Sequence, residues 1–347
     1  VTAATTLLDI SQNHNSVYNM AYGDVNGDGL SDIVVSGWNI DSATAYVYLF
    51  TQNANGTLTD STAQLGGNVI AGSQRAFIAD FDNDGRNDIF LPGFRDGTST
   101  QPANSVMFWN TGNGFTRATL PEQVMAHGAC VADLNRDGLT DMIVGGGGVY
   151  FNNGNRSFSL DTTILSNNYF AACAVIQEAT RTSVYLSNNS VVSRDNIAVF
   201  DSNFNLLQYD SVSIPANTDT VNVVAMDVTG DAKLDFVTNG NGVNTGSPYR
   251  GLMAWVGTAT FASVAAFDTR ENDYYTYELT VDGTPAIFFA ASHDQASVYK
   301  VNAGVFTPYK QTSWNTNSST NAVYQNATTG KIFMLQLINN VFKTQEM

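Results

Sequence analysis

Short apolar runs rich in β-branched and aromatic residues alternate with polar, glycine-bearing stretches along the whole chain. Ile33-Val34-Val35, Ala76-Phe77-Ile78-Ala79 and Met142-Ile143-Val144 are too short for helices and have the composition of buried strands. A second kind of run follows: Ala45-Tyr46-Val47-Tyr48-Leu49-Phe50, Ser105-Val106-Met107-Phe108-Trp109 and Gly148-Val149-Tyr150-Phe151. Each leads into an Asn/Gly turn, namely Asn53-Ala54-Asn55-Gly56, Asn110-Thr111-Gly112-Asn113-Gly114 and Asn152-Asn153-Gly154-Asn155. Asn and Gly supply the positive φ that tight hairpins need. A polar strand comes next, so each segment predicts four antiparallel strands. No stretch sustains a helical period, which excludes a helical solenoid.

The polar stretch between the first two strands has a fixed chemistry. In Asp80-Phe81-Asp82-Asn83-Asp84-Gly85-Arg86-Asn87-Asp88, side-chain oxygens fall at positions 1, 3, 5 and 9, with glycine at position 6. Hard cations such as Ca²⁺ take six to eight oxygen ligands, and alternating Asp/Asn side chains on a tight loop converge on one point. The carbonyl of position 7, here Arg86, adds a ligand, and Gly85 permits the turn. The frame recurs as Asp24, Asn26, Asp28, Leu30 and Asp32, and as Asp133, Asn135, Asp137, Leu139 and Asp141. A weaker copy has Asp227, Thr229, Asp231, Lys233 and Asp235, with Ala232 in place of the glycine. None is an EF-hand: position 12 is Val35, Leu91, Val144 or Thr238 rather than Glu, and the flanks are strands. The expectation is about four Ca²⁺ ions acting as clamps between strands.

The loops repeat with a period of about 50 residues. Asp24 to Asp80 is 56 residues, Asp80 to Asp133 is 53, and Asp133 to Asp227 is 94, two periods with one degenerate copy between. That copy is Ala174-Val175-Ile176-Gln177-Glu178 followed by Thr182-Ser183-Val184-Tyr185-Leu186, which keeps the strands and loses the ligands. Residues 278–289 form another copy, with Ala286 at position 9, and a last one ends in Lys331-Ile332-Phe333-Met334-Leu335. The expectation is one all-β domain, a seven-bladed β-propeller with repeats at 10–66, 67–120, 121–165, 166–213, 214–268, 269–312 and 313–347. Residues 1–9 either complete the last blade beside Val341-Phe342-Lys343-Thr344 or leave it to the C-terminal strands alone.

The D-x-(D/N)-x-D-G-x-x-D loop between an apolar strand and an I-V-V-type strand resembles the FG-GAP/VCBS repeat, which builds integrin α-subunit heads, a fungal lectin family and many surface proteins. The Phe-Gly and Gly-Ala-Pro signatures of the integrin version are largely missing, and Leu91-Pro92-Gly93-Phe94 is a loose echo. The resemblance implies the fold, calcium, and adhesion or glycan binding; an integrin-type ligand site does not transfer.

Charge narrows the partners. The net charge of −16 argues against nucleic acid and against an anionic membrane surface. Of the 31 acidic residues, 13 sit in the four loops, so much of the acidity is accounted for by metal. No apolar run reaches the roughly 18 residues that a membrane span needs. Loops of this type suit millimolar Ca²⁺ and a secreted or cell-surface location. Sequons at Asn55, Asn155, Asn188, Asn317 and Asn326 permit glycosylation there. Cys130 and Cys173 occupy matching places in neighbouring repeats and read first as two free thiols in small core positions, second as a pair facing across blades.

No catalytic site is expected. The histidines are His14, His127 and His293, and a lyase reading would group His127 with Tyr18 and Arg95 opposite the calcium loops. Catalytic use of the loop carboxylates would be duplicated in four blades, for which metal is the better account. A ligand-binding face is expected at the same end as His127, where Trp38, Phe94, Arg95, Tyr249, Arg250, Tyr274, Tyr275 and Trp314 bring aromatic faces beside polar groups. Such loops suit a glycan first and a surface protein second, or else pack between blades.

Overall fold

The computed structural model describes residues 4–10, 16–38, 45–94, 103–124, 126–146, 148–165, 170–188, 194–213, 218–242, 251–256, 262–268, 272–281, 284–291, 295–303, 305–313 and 318–347. The chain is an all-β β-propeller with four-stranded antiparallel blades. Six blades each run through strands in chain order, the first skipping Ala45–Tyr46, which pairs with Val69–Ile70, and a seventh four-stranded sheet is assembled from both ends of the chain. Seven repeats of one kind were expected; six are of that kind.

The chain divides into two compact units, Val1–Asn167 with Ser319–Glu346, and Asn168–Ser318 with Met347. The first unit holds three consecutive blades and the composite sheet. Its first blade comprises Ser16–Gly23, Asp32–Trp38, Tyr48–Gln52 and Leu58–Asp60. The second comprises Phe77–Ala79, Asp88–Leu91, Ala103–Asn110 and Phe115–Val124, and the third Ala129–Ala132, Asp141–Val144, Gly148–Asn152 and Phe158–Asp161. In the composite sheet Thr5–Asp9 pairs with Val341–Glu346 through Thr5↔Thr344 and Asp9↔Val341, outside Ile332–Ile338 and Ser318–Gln325. Of the two expected arrangements of the last blade, the first is therefore the one found.

Within each unit the apolar runs are buried where neighbouring blades pack face to face. Asp88–Leu91 and Asp141–Val144 are buried at every residue, which is why they read as continuous apolar runs rather than alternating ones. Val34, Leu49, Ile89 and Phe108 join the first and second blades in one core, and Phe81, Phe90, Trp109, Met142 and Tyr150 join the second and third. Phe342 of the composite sheet meets Tyr48 and Phe50 edge-on, with centroids 5.4 and 5.1 Å away. Gly56, at φ +86°, lies so close to Phe333 that a Cβ there would come within 2.3 Å of the ring, so glycine is needed for space as well as for the turn.

The second unit holds the fourth blade (Phe170–Gln177, Arg181–Asn188, Arg194–Asp201, Leu206–Ser213), the fifth (Thr218–Met226, Asp235–Gly242, Gly251–Val256, Ala262–Asp268) and the sixth (Asn272–Val281, Thr284–Ala291, Gln295–Asn302, Val305–Ser313). Ile176, Tyr185, Ile197, Val223 and Phe236 form the core between the fourth and fifth blades, and Met226, Val237, Tyr299 and Val301 that between the fifth and sixth. A buried polar knot crosses the first of these interfaces. Asp195 is fully buried and accepts hydrogen bonds from the Tyr185 hydroxyl at 2.6 Å and the Thr220 hydroxyl at 2.5 Å. Burial and the Asp195 carboxylate push the Tyr185 phenol well above its ordinary pKa, so it stays a donor. Among the described residues no helix is long and apolar enough to cross a membrane.

Candidate metal centres

In the first, second, third and fifth blades the first and second strands are joined by the acidic loops. Two left-handed residues make each turn: Gly27, Asn83, Arg136 and Gly230 at position 4, and Gly29, Gly85, Gly138 and Ala232 at position 6. The position-1 carboxylate then gathers backbone N–H groups. Asp24 accepts from Gly27 at 2.6 Å and Gly29 at 2.8 Å, Asp80 from Gly85 at 2.8 Å, Asp133 from Gly138 at 2.9 Å, and Asp227 from Ala232 at 2.9 Å. Position 5 accepts the N–H of position 7, Asp28 from Leu30, Asp84 from Arg86, Asp137 from Leu139 and Asp231 from Lys233. That hydrogen bond fixes the backbone at position 7, the residue whose carbonyl was expected as a ligand.

Position 9 ties the loop to the sheet. Asp32 is fully buried and accepts the N–H of Val25 and of Gln52, both at 2.9 Å. Asp88 accepts Phe81 at 3.0 Å and Asn110 at 2.7 Å, and Asp141 accepts Leu134 at 2.9 Å and Asn152 at 2.8 Å. Asp235 accepts Val228 at 3.1 Å. Burial pushes the carboxyls of Asp32, Asp88 and Asp141 up to about 6, against the pull of those same N–H groups. Near neutral pH these buried carboxylates are held ionised at a cost, which a bound cation would relieve.

The loops fit a hard cation. One oxygen from each of Asp80, Asp82 and Asp88 lies within 4.8 Å of the others. Asp82 Oδ1 is buried without a hydrogen-bond partner, and so is Thr229 Oγ1 at the same position of the fifth-blade loop. In the first and third blades position 3 is Asn, whose amide donates to position 5, Asn26 to Asp28 at 3.1 Å and Asn135 to Asp137 at 2.9 Å. The donor set is oxygen throughout, the set that calcium prefers.

The remaining blades have no such loop among the described residues. In the fourth, Glu178 and Arg181 close the hairpin with an ion pair and a backbone hydrogen bond from Glu178 N–H to Arg181 O. In the sixth, the strands pair up to Val281↔Thr284, leaving two residues between them.

A set of interblade clamps escaped the sequence reading. Asn110 donates to the Val25 and Asn87 carbonyls at 2.7 and 2.9 Å, and Asn152 to those of Phe81 and Thr140 at 2.6 and 3.1 Å. Each thus links its own loop to position 2 of the preceding blade's loop. Asn87 adds a bond to the Asp24 carbonyl at 2.8 Å. Asn326, fully buried, donates to the Gln52 side chain and the Asn53 carbonyl, so its sequon offers no acceptor in the folded protein. The only trace in the sequence was an Asn closing the aromatic third strand, which also reads as an ordinary turn residue.

A cavity of about 500 Å³ opens between the first two loops, lined among others by Asn26, Gln64, Arg86, Asn110, Asn113 and Phe115. At the opposite end of the strands, Phe94 is fully buried with its ring centroid 4.5 Å from that of His127. That corrects its assignment to an exposed binding face: it packs between blades. Trp38, Tyr274 and Tyr275 lie on strands, but their side chains are outside the described residues, as are Arg95, Tyr249, Arg250 and Trp314 altogether. His127 sits 3.1 Å from the Gln74 side chain; its expected companions are the Tyr18 side chain and Arg95, and these with His14 and His293 lie outside the described residues. Neither cysteine is free: Cys130 and Cys173 are both disulfide-bonded, which corrects the reading of two thiols.

No curated protein matches the chain. Among solved structures, BBS1N crystallised in complex with ARL6DN is similar at a TM-score of 0.57 and 13% identity, covering 99% of this chain and 96% of that one. The V. cholerae biofilm matrix protein Bap1 is similar at a TM-score of 0.46 and 13% identity, covering 99% of this chain and 63% of that one. Residues 6–91, the first blade and the start of the second, match the FG-GAP-like repeat. The chain is thus a β-propeller whose residues 6–91 match the FG-GAP-like repeat.

Proposed function

We propose that this chain is a calcium-stabilised recognition module of the extracellular surface, with Ca²⁺ in the loops of the first, second, third and fifth blades. The observation that carries the calcium reading is the convergence of Asp80, Asp82 and Asp88 around a carboxylate oxygen with no partner. The disulfide-bonded cysteines support an oxidising compartment, the kind in which such calcium sites fill.

Recognition rather than catalysis is the role proposed. The position-1 carboxylates Asp24 and Asp80 accept backbone N–H groups, and His127 is held by Gln74 and Phe94. A glycan is the first ligand class, with the residues that the sequence assigns to the ends of the repeats opposite the calcium loops, Trp38, Arg95, Tyr249, Arg250, Tyr274, Tyr275 and Trp314, as its candidate contacts. A protein partner is the second, favoured by the likeness to BBS1N, a propeller crystallised with a protein bound. A glycan array probed with calcium and again with chelator tests the first reading. Binding to a defined sugar supports it; no binding in calcium, with capture of a surface protein instead, supports the second.

A further inference from the structure

We propose that the loop of the second blade is the first to take up a cation, and that Arg156, from the next blade, is the positioning residue that prepares it. The inference rests on the calcium reading above. The four loops share one frame but differ at position 3. In the first and third blades the position-3 Asn is spent inside the loop: Asn26 and Asn135 each accept the N–H of position 5 and donate to its carboxylate. A cation entering there has to break that Asn–Asp bond. In the second blade position 3 is Asp82, with a side chain only 7% exposed. Its Oδ2 is gripped by Arg156 through Nε and Nη2, both at 2.8 Å, while Oδ1 has no partner. Among the described residues, Asp80, Asp82 and Asp88 are the one acidic trio with ligand oxygens already within 4.8 Å of one another.

Charge points the same way. The second loop carries four carboxylates, Asp80, Asp82, Asp84 and Asp88, against three in each of the others. Affinity in oxygen sites rises with ligand charge and with rigidity. Four like charges on nine residues repel, and two guanidiniums hold them together before the metal arrives, Arg86 on Asp84 and Arg156 on Asp82. Arg156 is itself fixed, its Cζ 5.1 Å from the Trp109 ring, which stacks on Phe158 with centroids 6.3 Å apart. Asp82 would hold a cation through the unpartnered Oδ1 while Arg156 keeps Oδ2. The fifth-blade loop also has an unpartnered position-3 oxygen, on Thr229, but it is neutral and Ala232 strains the turn.

Terbium, a calcium-sized ion whose emission is sensitised by a nearby indole, reads this loop through Trp109. In a titration of the whole chain, the first ion bound should give strong tryptophan-sensitised emission that Trp109→Phe lowers severalfold. Asp82→Asn should weaken that first phase about tenfold, and Arg156→Gln should do so to a similar degree, the usual cost of losing a group that orients a ligand. Asn135→Ala should leave the first phase alone, and circular dichroism in calcium verifies that each variant is folded. A first phase indifferent to Asp82→Asn overturns the filling order. A first phase tightened by Arg156→Gln makes Arg156 a repelling charge and overturns its positioning role. No binding of terbium or calcium by the unaltered chain would instead remove the calcium reading itself.

Discussion

Removing calcium should make the stability of this protein depend on pH in a direction that the buried loop carboxylates dictate. Asp32, Asp88 and Asp141 have folded pKa values raised from 3.8 to about 6, chiefly by burial. A group whose pKa is higher in the folded state stabilises that state fully at pH values below its unfolded pKa. The contribution is lost as pH climbs through the folded value. Between pH 5 and pH 8 each such carboxyl forfeits at most about 1.4 kcal/mol. Water at the loop rim reduces that to about 1 kcal/mol each, or about 3 kcal/mol for three loops. For a chain of this length that is a fall of roughly 4 °C in Tm. Asp161 and Asp201, held low chiefly by the side chains of Thr163 and Asn205, titrate below this window.

The assay is thermal unfolding in excess chelator at steps from pH 5 to pH 8, repeated in millimolar calcium. Chelated protein should melt progressively lower as pH rises. Calcium should erase most of the trend, because the ion balances the charge that burial opposes. The Asp88→Asn variant should lose about one third of the slope. A chelated Tm that is flat or rising from pH 5 to pH 8 would refute the reasoning.

Asn152→Ala removes both donors that serve the Phe81 and Thr140 carbonyls and should cost about 2–3 kcal/mol in denaturant unfolding, whereas Asn153→Ala, on the exposed side of the same turn, should cost little. Ala232 holds φ +63° where the other three loops have glycine, so Ala232→Gly should stabilise by about 1 kcal/mol in the same assay. Tyr185→Phe leaves buried Asp195 with one hydroxyl donor fewer and should lower stability by about 2–3 kcal/mol, with Thr220→Val acting in the same direction.

Much of this architecture was legible because it repeats. The acidic loops, the strands around them and the degenerate fourth copy all follow from local spacing, and each corresponds to a real hairpin. Even the pairing of the first residues with the last strand was one of two arrangements the alternation allowed. What local spacing does not encode is contact between repeats. Asn110 and Asn152 look like turn residues, yet their amides reach carbonyls 85 and 71 positions away. Arg156 follows the Asn152-Asn153-Gly154-Asn155 turn and grips Asp82 across a blade interface, which its position in the sequence does not show. Phe94, beside a Pro-Gly pair, suggested an exposed loop aromatic, but His127 of the next blade covers it. The cysteines were read first as free thiols and second as a bonded pair, because matching places in two repeats do not decide between the two; both are disulfide-bonded. Position 9 was read only as an acidic ligand position, whereas Asp32, Asp88 and Asp141 anchor the third strand through its N–H groups.

The most direct test of the account is the calcium content of the purified chain, by equilibrium dialysis at millimolar calcium followed by metal analysis. The account predicts about four ions per chain, falling by about one when the position-1 and position-5 aspartates of a single loop are replaced by Asn. A protein that retains no calcium under those conditions, or whose content ignores such replacements, contradicts it.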